Sequence, residues 1–423
     1  MLFLNFLIQK RISGRSRSFT GTILLLLGGR PPLLFRVLSQ PFHQAPLAPL
    51  RKSKNNTPMT DLEAYVALNQ VPRLGPITAR RLIETLGSPA AIFQASTNEL
   101  TAVRGIGHEI AQAIKNSNPI ELAEKELSRA NQRQIQILVP SDAAYPEALR
   151  ELEDAPLVLY IRGTVPQKWP RSLAIVGSRS ISHYGEQTAK KLAYQLAYAG
   201  VPIVSGLARG IDSYAHQGAL AAQGTTWAVL GCGLSHIYPP ENTPLADKII
   251  ESGGCLISEF PLDTQPDRQT FPMRNRIISG LSFGVLVIEA GKDSGALITT
   301  RFALEQGRQV FAVPGRIDSP HSKGCHQLIK EGAKLVEDAQ DILQELQYLF
   351  PPIPEPQSSR PIPASLSETE RLIFDAIGTE EIPIDHLIAT TGLPAQQVSS
   401  TLLRLEMKKL IRQLPGKFFV RTA

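Results

Sequence analysis

The 423-residue sequence predicts a doubly wound, mostly parallel α/β sheet, preceded by a small helical domain and followed by a winged-helix domain. Three observations predict it. From Ile135 to about Leu349, short apolar runs alternate with amphipathic helical stretches, as in chained strand–helix–strand units. Before that region, from Asp61 to about Asn131, apolar residues recur at helical spacing. After it, a proline-rich stretch isolates a tail with its own apolar pattern. The expected domains are 1–58, a disordered leader or misassigned start; 59–134, helical; 135–350, the sheet; 351–365, a linker; and 366–423, the winged helix.

The leader carries nine Lys or Arg and no acid. Its apolar run Ile23 to Leu27 is too short to span a bilayer, and no membrane partner is expected. Acid-free and Arg/Ser-containing, it has the composition of an organelle transit peptide, while Met59-Thr60-Asp61 reads as a natural start ahead of a helix. The leader accounts for the net charge of +6, because the rest of the chain holds 35 basic against 38 acidic residues. Overall basicity therefore implies nothing about partners, and any nucleic-acid site must be a local patch. Cys232, Cys255 and Cys325 lack metal-ligand spacing, which predicts a reducing, cytoplasmic compartment without disulfides.

In the helical region, Leu62, Tyr65, Val66 and Leu68 share a face. Two glycine-containing hairpins, Val71 to Gly75 and Val103 to Gly107, have the helix-hairpin-helix (SAM-like) pattern, whose amides can hold a duplex phosphate or merely pack helices. Strands are expected at Leu173–Gly177, Pro202–Ser205, Trp227–Gly231, Cys255–Ser258, Val285–Ile288 and Val310–Val313, with helices at Glu186–Tyr198, Ser213–Ala222 and Ala296–Gln306. This order is Rossmann-like. Residues 351–365 hold six prolines and predict a semi-rigid linker. The tail reads as helix, short helix, turn at Gly392, helix from Pro394 and a Pro415-Gly416 hairpin. With seven basic and seven acidic residues, it fits protein contact or dimer support at least as well as base readout.

In open α/β sheets, ligands sit beyond the carboxyl ends of the strands. The segment Phe271-Pro-Met-Arg-Asn-Arg-Ile-Ile-Ser-Gly280 connects two expected strands and supplies Arg274, Asn275 and Arg276, a pattern suited to repeating phosphates or to internal ion pairs. Gly177, Ser178 and Arg179 follow the first strand, where small residues let a backbone approach an anion and Arg179 stands near a helix start. Arg209 lies in Ser205-Gly-Leu-Ala-Arg-Gly-Ile-Asp212, where Asp212 is a candidate helix cap. Ser294 and Thr299 mark a third loop, with Ser294 a candidate cap. Phe271 offers either a stacking face or core packing. Together these suit single-stranded nucleic acid bound through its backbone.

Catalytic and cofactor readings find less support. The dinucleotide glycine fingerprint lacks its third glycine, and there is no Walker loop, HExxH or His/Cys cluster. Gly280-Leu-Ser282-Phe-Gly284 matches the nucleophile elbow only formally, because its serine precedes a strand. Glu259, Glu289 and Asp293 are not obviously paired. No catalytic residue, cofactor or metal is expected.

Read together, Ile175-Val-Gly-Ser-Arg-Ser-Ile-Ser-His-Tyr-Gly185, Ser205 to Leu220, the Ser258-Glu-Phe-Pro261 and Phe271 to Ser282 segments, Val287 to Thr300 and Phe311-Ala-Val-Pro-Gly315 resemble the DNA-processing protein A (DprA/Smf) family over about residues 60–350. The winged-helix tail fits its longer members. The resemblance implies a homodimer that binds single-stranded DNA, protects it during natural transformation and loads RecA recombinase on it, displacing single-strand-binding protein. It assigns phosphate contacts to Arg179, Arg209, Arg274 and Arg276, backbone and hydroxyl contacts to Gly177 and Ser178, and a polar contact to Asn275. His326 stands where the family is expected to have Asn. The fold is also similar to nucleotide phosphoribohydrolases, but Ser294 to Phe302 lacks their double glycine and catalytic glutamate. That enzyme, or a winged-helix scaffold with secondary DNA binding, is the alternative.

Overall fold

A computed structural model describes residues 21–25, 33–37, 59–349, 366–377, 382–407, 410–414 and 418–421. They fall into two units that divide between Glu345 and Leu346. Within the leader, Gly21–Leu25 pairs antiparallel with Leu33–Val37. The remainder of the leader, the expected linker and the Pro415-Gly416 turn lie outside the described residues.

The first unit opens with six helices: α1 (Asp61–Leu68), α2 (Pro76–Leu86), α3 (Pro89–Gln94), α4 (Thr97–Ala102), α5 (His108–Asn116) and α6 (Pro119–Gln132). Thr60 with Glu63, and Ser96 with Glu99, form reciprocal capping boxes that satisfy the first amides of α1 and α4. The two glycine hairpins join α1 to α2 and α4 to α5.

Nine strands follow: β1 (Ile135–Leu138), β2 (Leu159–Gly163), β3 (Ser172–Val176), β4 (Ile203–Ser205), β5 (Thr226–Val229), β6 (Cys255–Ser258), β7 (Ser282–Val287), β8 (Gln309–Ala312) and β9 (Lys334–Leu335). Their order is β9-β8-β7-β3-β4-β5-β6-β2-β1. The strands from β3 to β9 pair in parallel, while β2 and β1 extend one edge antiparallel. The doubly wound, mostly parallel sheet is thus as expected, with three further strands, β1, β2 and β9, that the sequence reading had not named.

The crossover helices are α8 (His183–Tyr198), α9 (Ile211–Ala221), α10 (Thr243–Glu251), α11 (Thr270–Gly280), α12 (Ala296–Glu305) and α13 (Lys323–Lys330), with the short α7 (Glu147–Arg150) ahead of them and α14 (Ala339–Leu349) after them. The chain moves from β3 through β6 in one direction, then α11 carries it back to β7 on the other side of β3. A topological switch point therefore lies between β3 and β7, where the loops diverge and leave a crevice.

Two apolar clusters cover the sheet. In one, Tyr65, Leu82 and Ile114 of the helical segment join Tyr160, Leu230 and Leu256 of the sheet region, so this segment packs onto the sheet core. The other gathers Leu149, Ile277, Val285, Val310 and Cys325. The second unit contains α15 (Glu368–Ala376), β10 (Ile382–Pro383), α16 (Ile384–Thr391), α17 (Ala395–Met407), β11 (Ile411–Leu414) and β12 (Phe418–Arg421). Its sheet has the order β10-β12-β11, and Ile373, Leu387, Val398, Leu402 and Phe419 form its core, a winged helix as expected. Gly392 ends α16 in the left-handed region at φ 64°, where glycine carries no Cβ penalty.

Candidate nucleic-acid interface

The carboxyl ends of β3, β4 and β7 open into a groove of about 1130 Å³ at the switch point. Eight expected site residues line it: Gly177, Ser178 and Arg179 after β3, Phe271, Arg274 and Asn275 on α11, and Ser294 and Thr299 around the start of α12. Arg209 and Arg276 do not line it.

Helix α11 explains the division. Phe271, Arg274, Asn275 and Ile278 recur at i, i+3, i+4 and i+7, one helical face, and that face lines the groove. Arg276 is two residues from Arg274, about 200° around the axis. It points the other way, buried between Glu259 at 2.5 Å and Asp154 at 3.2 Å. The expected phosphate contact by Arg276 is therefore corrected. The connection between the two strands is a helix, and the helical turn separates the two guanidiniums.

Arg274 is also corrected as a free phosphate donor. Its Nη1 donates to the carbonyl of Gly206 at 2.6 Å and to that of Val229, at the ends of β4 and β5. Only 4% exposed, it has its pKa pushed down to about 10 by burial, which still leaves it cationic at neutral pH. Asp212 lies close enough to oppose that shift; burial raises its own pKa, against the pull of Arg274 and the amides of Gly206 and Ala208, whose N–H groups it accepts. Asp212 thus braces the loop before α9 instead of capping the helix, whose N-cap is Gly210 with no side-chain bond. Arg209 is exposed and paired with Glu241, and neither residue lines the groove.

The glycines serve internal packing. A Cβ at Gly206 would overlap the Arg274 guanidinium, one at Gly231 would press on the Phe271 ring, and one at Gly177 would meet Ile211 and the Glu289 carbonyl. The close approach at Gly177 expected for a ligand is therefore made by the protein itself.

Arg179 is different. It is exposed on the groove lip with no ion pair among the described residues, and its guanidinium lies 5.3 Å from the centre of the Phe271 ring. Phe271 also packs against Tyr238, with centroids 5.4 Å apart and planes tilted by 32°. The lip further includes Arg268, Lys292 and Lys323, which the sequence reading missed. Arg268 and Lys292 are exposed without ion pairs among the described residues; the ammonium of Lys323 donates to the Ile317 carbonyl. Arg268 and Lys292 are isolated in polar loops and Lys323 opens α13, so these cations carry no periodic signal, and only the switch point brings them together.

At α12 the N-cap is Gly295, without a side-chain bond; Ser294 Oγ instead accepts the Ala296 N–H at 3.3 Å, and Thr299 is buried. Two carboxylates read as unpaired are engaged. Glu289 accepts from the Ser182 amide at 3.0 Å and the Ser182 hydroxyl at 2.5 Å, and Glu259 holds Arg276, its pKa raised by burial against the pull of that cation. Ser282, at the formal nucleophile elbow, is buried and donates to the Ile278 carbonyl. His326 is held at the Gly315 carbonyl, 2.9 Å away. Among the described residues no cluster of potential metal ligands occurs, and no helix is long and apolar enough to cross a membrane. The arrangement offers exposed cations beside aromatic rings, suited to a charged, sequence-tolerant polymer.

The family model for DNA recombination-mediator protein A matches residues 136–347, that for the DprA winged helix domain residues 356–417, and that for a SAM-like helix-hairpin-helix tandem residues 65–117. The chain is 44% identical to protein Smf of Escherichia coli over 66% of this chain and 76% of that one. It is 34% identical to protein Smf of a Synechocystis strain over 84% and 98%. A crystal structure of DNA processing protein A from Streptococcus pneumoniae aligns with 68% of this chain and 99% of its own, at 34% identity and a TM-score of 0.59.

Proposed function

The chain belongs to the DNA recombination-mediator protein A (DprA/Smf) family, and from that premise we propose that it binds single-stranded DNA along the switch-point groove. Acting as a homodimer in a reducing cytoplasm, it protects incoming DNA during natural transformation and loads RecA recombinase on it, displacing single-strand-binding protein. Residues 59–134, 135–350 and 366–423 act as its helical, DNA-binding and winged-helix domains. Its role is to bind, not to break bonds: Glu259, Glu289 and Asp212 are engaged in internal contacts.

One observation carries this reading: Arg179 stands exposed beside Phe271, without an ion pair among the described residues, at the lip of a groove that further cations border. Free guanidinium beside an aromatic ring supplies backbone attraction and a stacking surface without base-edge discrimination. Salt-titrated binding of single- and double-stranded oligonucleotides tests it. Arg179→Glu weakens single-strand binding by about ten-fold or more and lowers the log–log salt slope by roughly 0.7, while the melting temperature holds. An unchanged slope would remove Arg179 from the DNA path.

A further inference from the structure

Helix α8 leaves the groove at its N-cap, Ser182, three residues after Arg179. Its outward face presents Tyr184, Tyr194 and Tyr198, which are 51, 42 and 76% exposed. At about 100° per residue, these three fall within a sector of about 80° that also contains Gln187 and Lys191. Lys191 is exposed and makes no ion pair among the described residues. The only acid of the helix, Glu186, lies outside this stripe and pairs with Lys190 at 2.8 Å. The rings of Tyr194 and Tyr198 stand within 5° of parallel, with centroids 6.2 Å apart. At the N-terminal end of the helix, the Tyr184 hydroxyl donates to the Pro314 carbonyl at 3.0 Å, which fixes that ring.

We infer that this stripe is a second nucleic-acid track, on which a single strand leaving the groove lays bases against tyrosine rings. The inference rests on the groove reading, because it needs a strand that exits past Arg179. Three features favour nucleic acid over a protein partner. The stripe has a cation and no carboxylate, matching a polyanion. Its exposed apolar surface is entirely tyrosine, with no exposed Leu, Ile, Val or Met on the helix to fill a partner's pocket. It also begins at Tyr184, five residues past Arg179, and runs about 21 Å to Tyr198, room for several nucleotides beyond the groove.

The test titrates full-length protein with oligothymidylates of about six and about twenty nucleotides, lengths chosen to fill the groove alone or to extend past it. Tyr194→Ser/Tyr198→Ser binds the short strand as wild type does and the long strand about ten-fold or more weakly, the size expected for lost base–aromatic stacking. In the wild type, a long strand with abasic sites beyond the groove-filling end shows the same loss without any substitution. Equal loss at both lengths, or none on the long strand, overturns the track, as does a double variant that changes only self-association. Arg179→Glu weakens both lengths; if it weakens neither, the groove reading itself fails.

Discussion

At the residue scale, the two arginines of the Phe271 to Gly280 segment separate function from stability. Arg276 is 4% exposed between two carboxylates. Removing it strands Glu259 and Asp154, and breaking a buried pair from one side typically costs about 3–5 kcal/mol. We expect Arg276→Met to lower urea-denaturation stability by that order while the folded fraction keeps its single-strand salt slope; a slope reduced like that of Arg179→Glu would place Arg276 in the DNA path. His216 gives a pH prediction. Burial, assisted by the positive charge of Arg274, pushes its pKa down to about 3, and its Nδ1 lies 2.7 Å from the Thr226 hydroxyl, which donates to the Ile203 carbonyl. Between pH 3 and 6.5 the unfolded chain binds a proton at this position that the folded chain refuses, so His216 makes stability fall as pH falls below 6.5, by up to about 1.4 kcal/mol per unit. Unfolding free energies at pH 7 and 5 should therefore differ less for His216→Gln than for wild type.

At the element scale, much of the fold was legible and the orientation of its side chains was not. Six core strands were readable because strands buried on both faces are continuous apolar runs, as in Cys255–Ser258. Strand β2 has a comparable run, but it pairs antiparallel with both neighbours and stands outside the strand–helix alternation that announces the others. Helix α11 was hidden because its glycine end, its proline and its two arginines read as a charged connection, although Phe271, Arg274, Asn275 and Ile278 keep helical spacing. That period by itself places Arg274 and Arg276 on different helix faces. The glycine loops misled for a different reason: a small residue shows that something approaches closely, but not whether it is a ligand or, as at Gly206, a guanidinium from the same chain. We expect Gly206→Ala to displace Arg274 from the β4 and β5 carbonyls and cost roughly 1–3 kcal/mol, visible as a lower denaturation midpoint.

At the scale of the whole molecule, the helical segment and the sheet should melt as one body. They share an apolar cluster, and polar contacts reinforce the join: the Asn69 side chain donates to the Glu259 carbonyl at 2.9 Å, Arg80 to the Leu152 carbonyl at 2.6 Å, and Glu126 accepts the Leu262 amide at 2.7 Å. Two of these partners adjoin the Arg276 cluster, so undocking the helices would expose apolar surface and loosen the anchorage of α11 together. The winged helix, in contrast, encloses its own core of Ile373, Leu387, Val398 and Phe419. A chain truncated after residue 350 should therefore keep the thermal transition of the first unit and, with every groove residue retained, the single-strand salt slope of the full chain. A chain beginning at Ile135 should instead melt lower or precipitate, because Tyr160, Leu230 and Leu256 lose their covering helices. Differential scanning calorimetry of the two truncations decides the matter: an N-terminal deletion that melts like the intact protein would mean that the shared cluster does not hold the helices to the sheet.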